Sequence, residues 1–252
     1  MSTERDLVTF GPPDNQLVGS FHAPQAQAGY PLVILATGDG PSGSKGLTWQ
    51  NLVPLLSDRG IGSFLFDFAG LGYSPGERRE LTLSSGMRDF ATVMDFVATH
   101  REHDDQRVGI IGASYGGNIA LLASAGYPQL KAIGLKSPCC ILAEAYQSEY
   151  GAELMARWGE AEYLDETEMN YGALIDSLYW NTYEAASRIQ VPVRIVHGTA
   201  DSAVPIRQSR DLVRVVSSAS IFEIEGADHW YAENDEWDRM ANDLVDFMAK
   251  TL

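Results

Sequence analysis

The hexapeptide Gly112-Ala113-Ser114-Tyr115-Gly116-Gly117 constrains this chain more than any other stretch. It carries the pattern G-x-S-x-G directly after the β-rich run 107–111 and directly before a helical segment at 118–125. So tight a passage from strand to helix holds its central residue in a strained backbone conformation. The positions two before and two after the serine must be small, because backbone passes close to them, and both are glycine. The strain pushes the hydroxyl over the sheet edge, beside a helix N-terminus that favours developing negative charge. Ser114 is therefore the candidate nucleophile.

A serine hydroxyl is a poor nucleophile at neutral pH and needs a base. Of the five histidines, His22 lies on an early strand, and His100 and His103 end a surface helix in a charged run. All three read as structural or solvated. His197 ends a strand as Val196-His197-Gly198 and reads as a packing residue. His229 follows Gly226-Ala227-Asp228 in a turn after the last strand, and is the candidate base. The acid that orients it should come from the loop after the strand at 193–197, where Asp201 is the only carboxylate between 198 and 205. A buried carboxylate there fixes the imidazole tautomer and stabilises the imidazolium formed on attack. Asp228 is the rival, but adjacent side chains on one turn diverge, so Asp201 is preferred.

Around these residues, short β-rich runs alternate with amphipathic stretches, the pattern of a mostly parallel sheet with helices on both faces. Strands are predicted at 17–22 (antiparallel), 31–37, 61–68, 107–111, 131–136, 193–197 and 220–224. Helices are predicted at 47–58, from a Ser84 or Ser85 cap to about His100, at 118–125, at 206–216 and at 236–249. The residues 1–252 read as one α/β domain. The segment 139–189 breaks the alternation with glutamate-rich turns, many aromatics and no clear strand. It reads as a mostly helical cap inserted over the carboxyl edge of the sheet, where open α/β folds bind ligands. Its aromatics could line a pocket or pack a small core, and packing is the preferred reading for each.

The chain order serine, acid, histidine is that of the α/β-hydrolases. The sequence resembles that superfamily over essentially its whole length. Four blocks carry the match: Phe66-Asp67-Phe68-Ala69-Gly70-Leu71-Gly72-Tyr73-Ser74, Gly112 to Gly117, His197-Gly198-Thr199-Ala200-Asp201 with Val204-Pro205, and Gly226-Ala227-Asp228-His229. Within the superfamily the chain looks most like the small carboxylesterases of the feruloyl and cinnamoyl type. That resemblance implies cofactor-free, metal-free hydrolysis of esters of aryl or short acyl acids, by a monomer or homodimer.

It also implies an oxyanion hole made by the backbone amides of Asp39 and Tyr115, with Gly38 and Trp230 at the substrate pocket. Where the family carries His-Gly-aromatic, this chain reads Thr37-Gly38-Asp39, so an acidic side chain stands beside the hole. Lys45 is the nearest cation in sequence that could balance it. A thioesterase, a small-peptide hydrolase and a carbon–carbon bond hydrolase of diketones could use the same three residues. The last needs a group to hold a substrate carboxylate, and the only cap cations are Arg157 and Arg188. Dehalogenase and epoxide hydrolase chemistry is disfavoured, because both need aspartate where Ser114 stands. A silent, ligand-binding relative typically lacks one of the three, and all three are here.

A net charge of −16 makes nucleic acid and anionic membrane surfaces poor partners. No apolar run approaches the roughly 20 residues of a membrane span. The start, residues 1–6, is polar, and together these features predict a cytoplasmic protein; the small ester substrate is what the resemblance implies. The two cysteines, Cys139 and Cys140, are adjacent, so they form neither a disulfide framework nor a zinc-type spacing and read as small buried residues.

Overall fold

Leu32, Ile34 and Ala36 pack into one core cluster, while Val33 and Leu35 between them pack into another. A strand alternates its side chains, so this run of apolar residues must be covered on both faces. The computed structural model describes residues 7–24, 28–100 and 102–252; the polar start at 1–6 lies outside them. In chain order the strands are β1 (Val8–Phe10), β2 (Leu17–His22), β3 (Tyr30–Ala36), β4 (Gly62–Asp67), β5 (His103–Ala113), β6 (Leu130–Lys136), β7 (Tyr163–Leu164), β8 (Met169–Asn170), β9 (Val193–Gly198) and β10 (Ala219–Ile224). The helices are α1 (Leu47–Asp58), α2 (Leu83–Thr99), α3 (Ser114–Ser124), α4 (Leu142–Ala161), α5 (Gly172–Ser177), α6 (Thr182–Ala186), α7 (Arg207–Val215) and α8 (Glu236–Thr251).

Among the described residues, the main sheet has the order β1-β2-β4-β3-β5-β6-β9-β10. β2 pairs antiparallel with β1 and β4, and from β4 to β10 the neighbours are parallel. All the parallel strands therefore end at one edge. The segments after β3, β5, β6, β9 and β10 leave from that edge, and they carry Asp39, Ser114, Ser137, Asp201 and His229. One face is covered by α1 and α8 through Leu52, Leu56, Met240, Leu244 and Met248. The other face carries α2 and α3 through Phe90, Val93, Ile119 and Leu121.

The structure departs from the sequence reading outside the site, beginning with the unpredicted β1. Helix α2 begins at Leu83, capped by Thr82 rather than by Ser84 or Ser85. Thr82 Oγ1 accepts the Ser85 N–H at 3.0 Å, and Ser85 Oγ accepts the Thr82 N–H at 2.9 Å. His103 does not end that helix but opens β5, four residues ahead of the predicted strand, with a register shift against β3 and another against β6. The segment 139–189 is mostly helical, yet it contains the two-residue strands β7 and β8 as a hairpin. Helix α4 is broken at Gly151, whose φ of 75° and ψ of 166° lie far from helical values.

Candidate active site

Ser114 has φ 49°, the left-handed region that a side chain rarely adopts. It is the first residue of α3, so strand β5 delivers it and the helix leads away beneath it. A Cβ on Gly112 would come 2.6 Å from the Gly116 carbonyl, and one on Gly116 would strike the carbonyls of Ala36 and Thr37. The two glycines are thus required by backbone contact, as the motif predicts. The ring of Tyr115 turns away into the core, where its hydroxyl donates to Thr82 O at 2.6 Å and its edge meets Phe68. Tyr115 nevertheless lines the cavity beside Ser114.

His229 Nδ1 lies 2.7 Å from Asp201 Oδ2. A carboxylate can only accept, so Nδ1 carries the proton and Nε2 is left to accept another. The Asp201 side chain is fully buried, and its other oxygen accepts the amides of Ala203 at 3.0 Å and Val204 at 2.8 Å. His197 Nε2 stands 3.2 Å from Asp201 Oδ2 and 3.0 Å from Val204 O, while its Nδ1 is 2.7 Å from Ser209 Oγ. Both neighbours of Nε2 are acceptors, so His197 holds its proton there and accepts from Ser209. More than a packing residue, it braces the acid. Burial disfavours the Asp201 carboxylate, but the hydrogen bonds from His197 and His229 outweigh it and hold the group well below the usual carboxylate range. Asp228 serves the backbone instead. Its Oδ1 accepts the amides of Trp230 at 2.9 Å and Tyr231 at 2.7 Å, shaping the turn that presents His229.

The loop after β3 is held from three sides. Asp67, at the end of β4, is buried and accepts Ser44 Oγ–H at 2.8 Å and the Tyr73 amide at 2.9 Å, along with the Ser44 amide. Burial raises its ionisation above the usual carboxylate range despite these donors. Arg78 Nε donates to Asp39 O at 2.7 Å, and its Nη1 reaches Thr167 O at 3.2 Å and Glu168 at 2.7 Å in the β7–β8 turn. Tyr146, on α4, donates its hydroxyl to Asp39 Oδ2 at 2.9 Å. The expectation that Lys45 balances Asp39 is corrected: Lys45 donates to Gly72 O at 2.7 Å and lies over the Tyr73 ring. Among the described residues, neither the Asp39 amide nor the Tyr115 amide donates to a protein acceptor.

A cavity of about 410 Å³ joins these groups; Gly38, Asp39, Ser114, Tyr115, His229 and Trp230 all line it. A Cβ on Gly38 would sit 3.5 Å from Ser114 Cβ, so the glycine keeps the approach to the hydroxyl open. Trp230 is 58% exposed and stands edge-on to the His229 ring at 5.6 Å, at the rim rather than deep in a wall. Of the cap aromatics, Tyr146 lines this cavity. Trp158 is buried between Tyr146, Tyr150 and Tyr171, and donates to Met169 O at 2.8 Å, a small core of the cap's own. Tyr179, Trp180 and Tyr183 line a separate cavity of about 390 Å³.

Arg157 and Arg188 pair with Glu166 and Glu184 and do not line the cavity beside Ser114; its cations are Arg78 and Lys136. Lys136 is buried, its Nζ donates to His229 O at 2.7 Å, and burial pulls it down to about 8 against the attraction of Asp201 and Asp228. Cys139 and Cys140 are buried as expected, and burial pushes the Cys140 thiol up to about 12, which leaves it unreactive. Arg78, Tyr146, Lys136 and the bracing role of His197 were not apparent in the sequence.

A family model described as the prolyl oligopeptidase family matches residues 55–252. The chain belongs to that family. As a member, it is 28% identical over 223 residues to the uncharacterized protein YfhR of Salmonella typhimurium, covering 83% of this chain and 68% of that protein. It is 24% identical over 247 residues to an uncharacterized 31.7 kDa protein from the traX-finO intergenic region of Escherichia coli, covering 83% and 86%. Among solved structures, Est1E from Butyrivibrio proteoclasticus with ferulic acid bound matches with a TM-score of 0.83 at 20% identity, covering 97% of this chain and 98% of that one. This family member has the α/β-hydrolase fold, and the resemblance read from the four sequence blocks holds. It is a serine hydrolase of that fold.

Proposed function

We propose that the chain cleaves carboxylic esters of small acyl or aryl acids through an acyl-enzyme on Ser114. The observation that carries this reading is the convergence on one cavity of a left-handed Ser114, a His229 whose tautomer is set by Asp201, and two undonated amides. His229 Nε2 takes the Ser114 proton as Oγ attacks the ester carbonyl carbon. The amides of Asp39 and Tyr115 receive the tetrahedral oxyanion, each worth roughly 3 kcal/mol by analogy with other hydrolases. The imidazolium then returns its proton to the departing alkoxide, and water releases the acyl group by the reverse path. The Tyr146 hydroxyl on Asp39 supports the hole, because it draws the acidic side chain toward the cap.

The substrate is taken to be a small neutral ester, handled without cofactor, metal or nucleic-acid partner, by a monomer or homodimer. Among the described residues no helix is long and apolar enough to cross a membrane, and we place the protein in the cytoplasm. A second reading, cleavage of a small peptide amide by the same residues, is favoured by the family match. The bound ferulic acid in Est1E favours the ester reading. Parallel assays decide between them: p-nitrophenyl esters from acetate to octanoate against aminoacyl p-nitroanilides, with wild type and Ser114→Ala. The ester reading expects turnover of the short esters that disappears in S114A. Anilide turnover without ester turnover would replace it with the peptidase reading.

A further inference from the structure

Lys136 ends β6, in register with Ala113 on one side and with Val196 on the other. It therefore stands between the strand that delivers Ser114 and the strand that leads to Asp201. It is 6% exposed, and an ammonium so buried is unfavourable unless opposite charges and acceptors surround it. They do. Its Nζ donates to the His229 carbonyl at 2.7 Å and lies 4.8 Å from the centre of the Tyr231 ring, with the Asp201 and Asp228 carboxylates close enough to attract it. The steps of ester cleavage make no direct use of this amine.

We propose that Lys136 is a positioning residue for the catalytic base, its ammonium clamping the His229 backbone and balancing the Asp201 charge so that the imidazole is held toward Ser114. This rests on the reading of Ser114, Asp201 and His229 as the catalytic triad. The groups facing Lys136 are Asp201 from the segment after β9, and Asp228, His229 and Tyr231 from the segment after β10. Cys139 lies three residues past the end of β6, and Asp39 and Glu149 line the same cavity from the loop after β3 and from α4. On the β5 side its register partner is the uncharged Ala113. The clamp is a charge-assisted hydrogen bond, stronger than a neutral one. Burial brings the ammonium down to about 8, so it is charged below that pH and the clamp weakens as the pH rises through it.

The test is kcat and KM for p-nitrophenyl butyrate from about pH 6 to about pH 10, with fluorophosphonate labelling rates alongside, for wild type, Lys136→Met, Lys136→Arg and Ser114→Ala. Wild-type kcat/KM is expected to fall above about pH 8. K136M should lose roughly ten- to a hundredfold in kcat at neutral pH, with KM little changed, and its alkaline limb should be absent. K136R, charged throughout this range, should recover most of the rate and carry the limb beyond about pH 9.5. A wild-type profile flat to about pH 9.5, or a K136M enzyme with the wild-type rate and profile, overturns the proposal. If K136M does not fold, the wild-type limb and its displacement in K136R decide the matter. S114A separates the two readings: turnover surviving in S114A defeats the triad, whereas a silent S114A beside wild-type behaviour in both lysine variants defeats Lys136 alone.

Discussion

Asp201 has hydrogen-bond donors on both of its buried oxygens, and two of those donors are histidines with different roles. Asp201→Asn would offer an amide N–H to groups that already donate, turning the His229 tautomer the wrong way. By analogy with other triad hydrolases, kcat should fall about ten-thousandfold with KM little altered, which steady-state kinetics will show. The same residue makes stability depend on acid. Its folded-state ionisation lies below the unfolded value of about 4, so its contribution is present above about pH 4 and is lost as the pH falls below it. The melting-temperature gap between wild type and D201N should be widest near neutrality and close at low pH; a constant gap contradicts this. Ser114, Asp201 and His229 were legible in the sequence because each lies just past a strand in a turn with small or turn-forming neighbours. The partners of Asp39 were not. Tyr146 is 107 positions away and Arg78 is 39 away, so topology alone brings them there, and proximity in sequence pointed wrongly to Lys45.

At the scale of elements, α4 and the β7–β8 hairpin reach the loop after β3 through Tyr146 and Arg78. The cap is thereby coupled to the amide that would receive the oxyanion. Tyr146→Phe removes the hydroxyl from Asp39 and should lower kcat about tenfold, the worth of one hydrogen bond to a charged group. Fluorophosphonate labelling should slow in parallel, since both reactions need the same amide; an unchanged labelling rate would uncouple cap and hole. Most elements were legible from period and punctuation: α1 and β2 have the predicted bounds. The missed strands share a cause. β1 has three residues, and β7 and β8 have two each, too few for any period to show. The α2 start moved because three hydroxyl residues, Thr82, Ser84 and Ser85, compete to cap it, and the reciprocal pair of Thr82 and Ser85 wins.

Taken whole, the molecule carries a net charge of −16, and the field that sums from it reaches any approaching substrate. An anionic ester such as p-nitrophenyl hemisuccinate should show kcat/KM about tenfold below that of neutral p-nitrophenyl butyrate at low ionic strength, and the ratio should shrink as added salt screens the field. A ratio indifferent to salt would assign the difference to contacts in the cavity instead. The central claim is that Ser114 is the nucleophile, and the most direct measurement is intact-protein mass spectrometry after a fluorophosphonate, followed by peptide mapping. A single adduct on Ser114, absent in S114A and strongly slowed in His229→Ala, is the predicted result. An unlabelled wild type, or an adduct on any other residue, would contradict it.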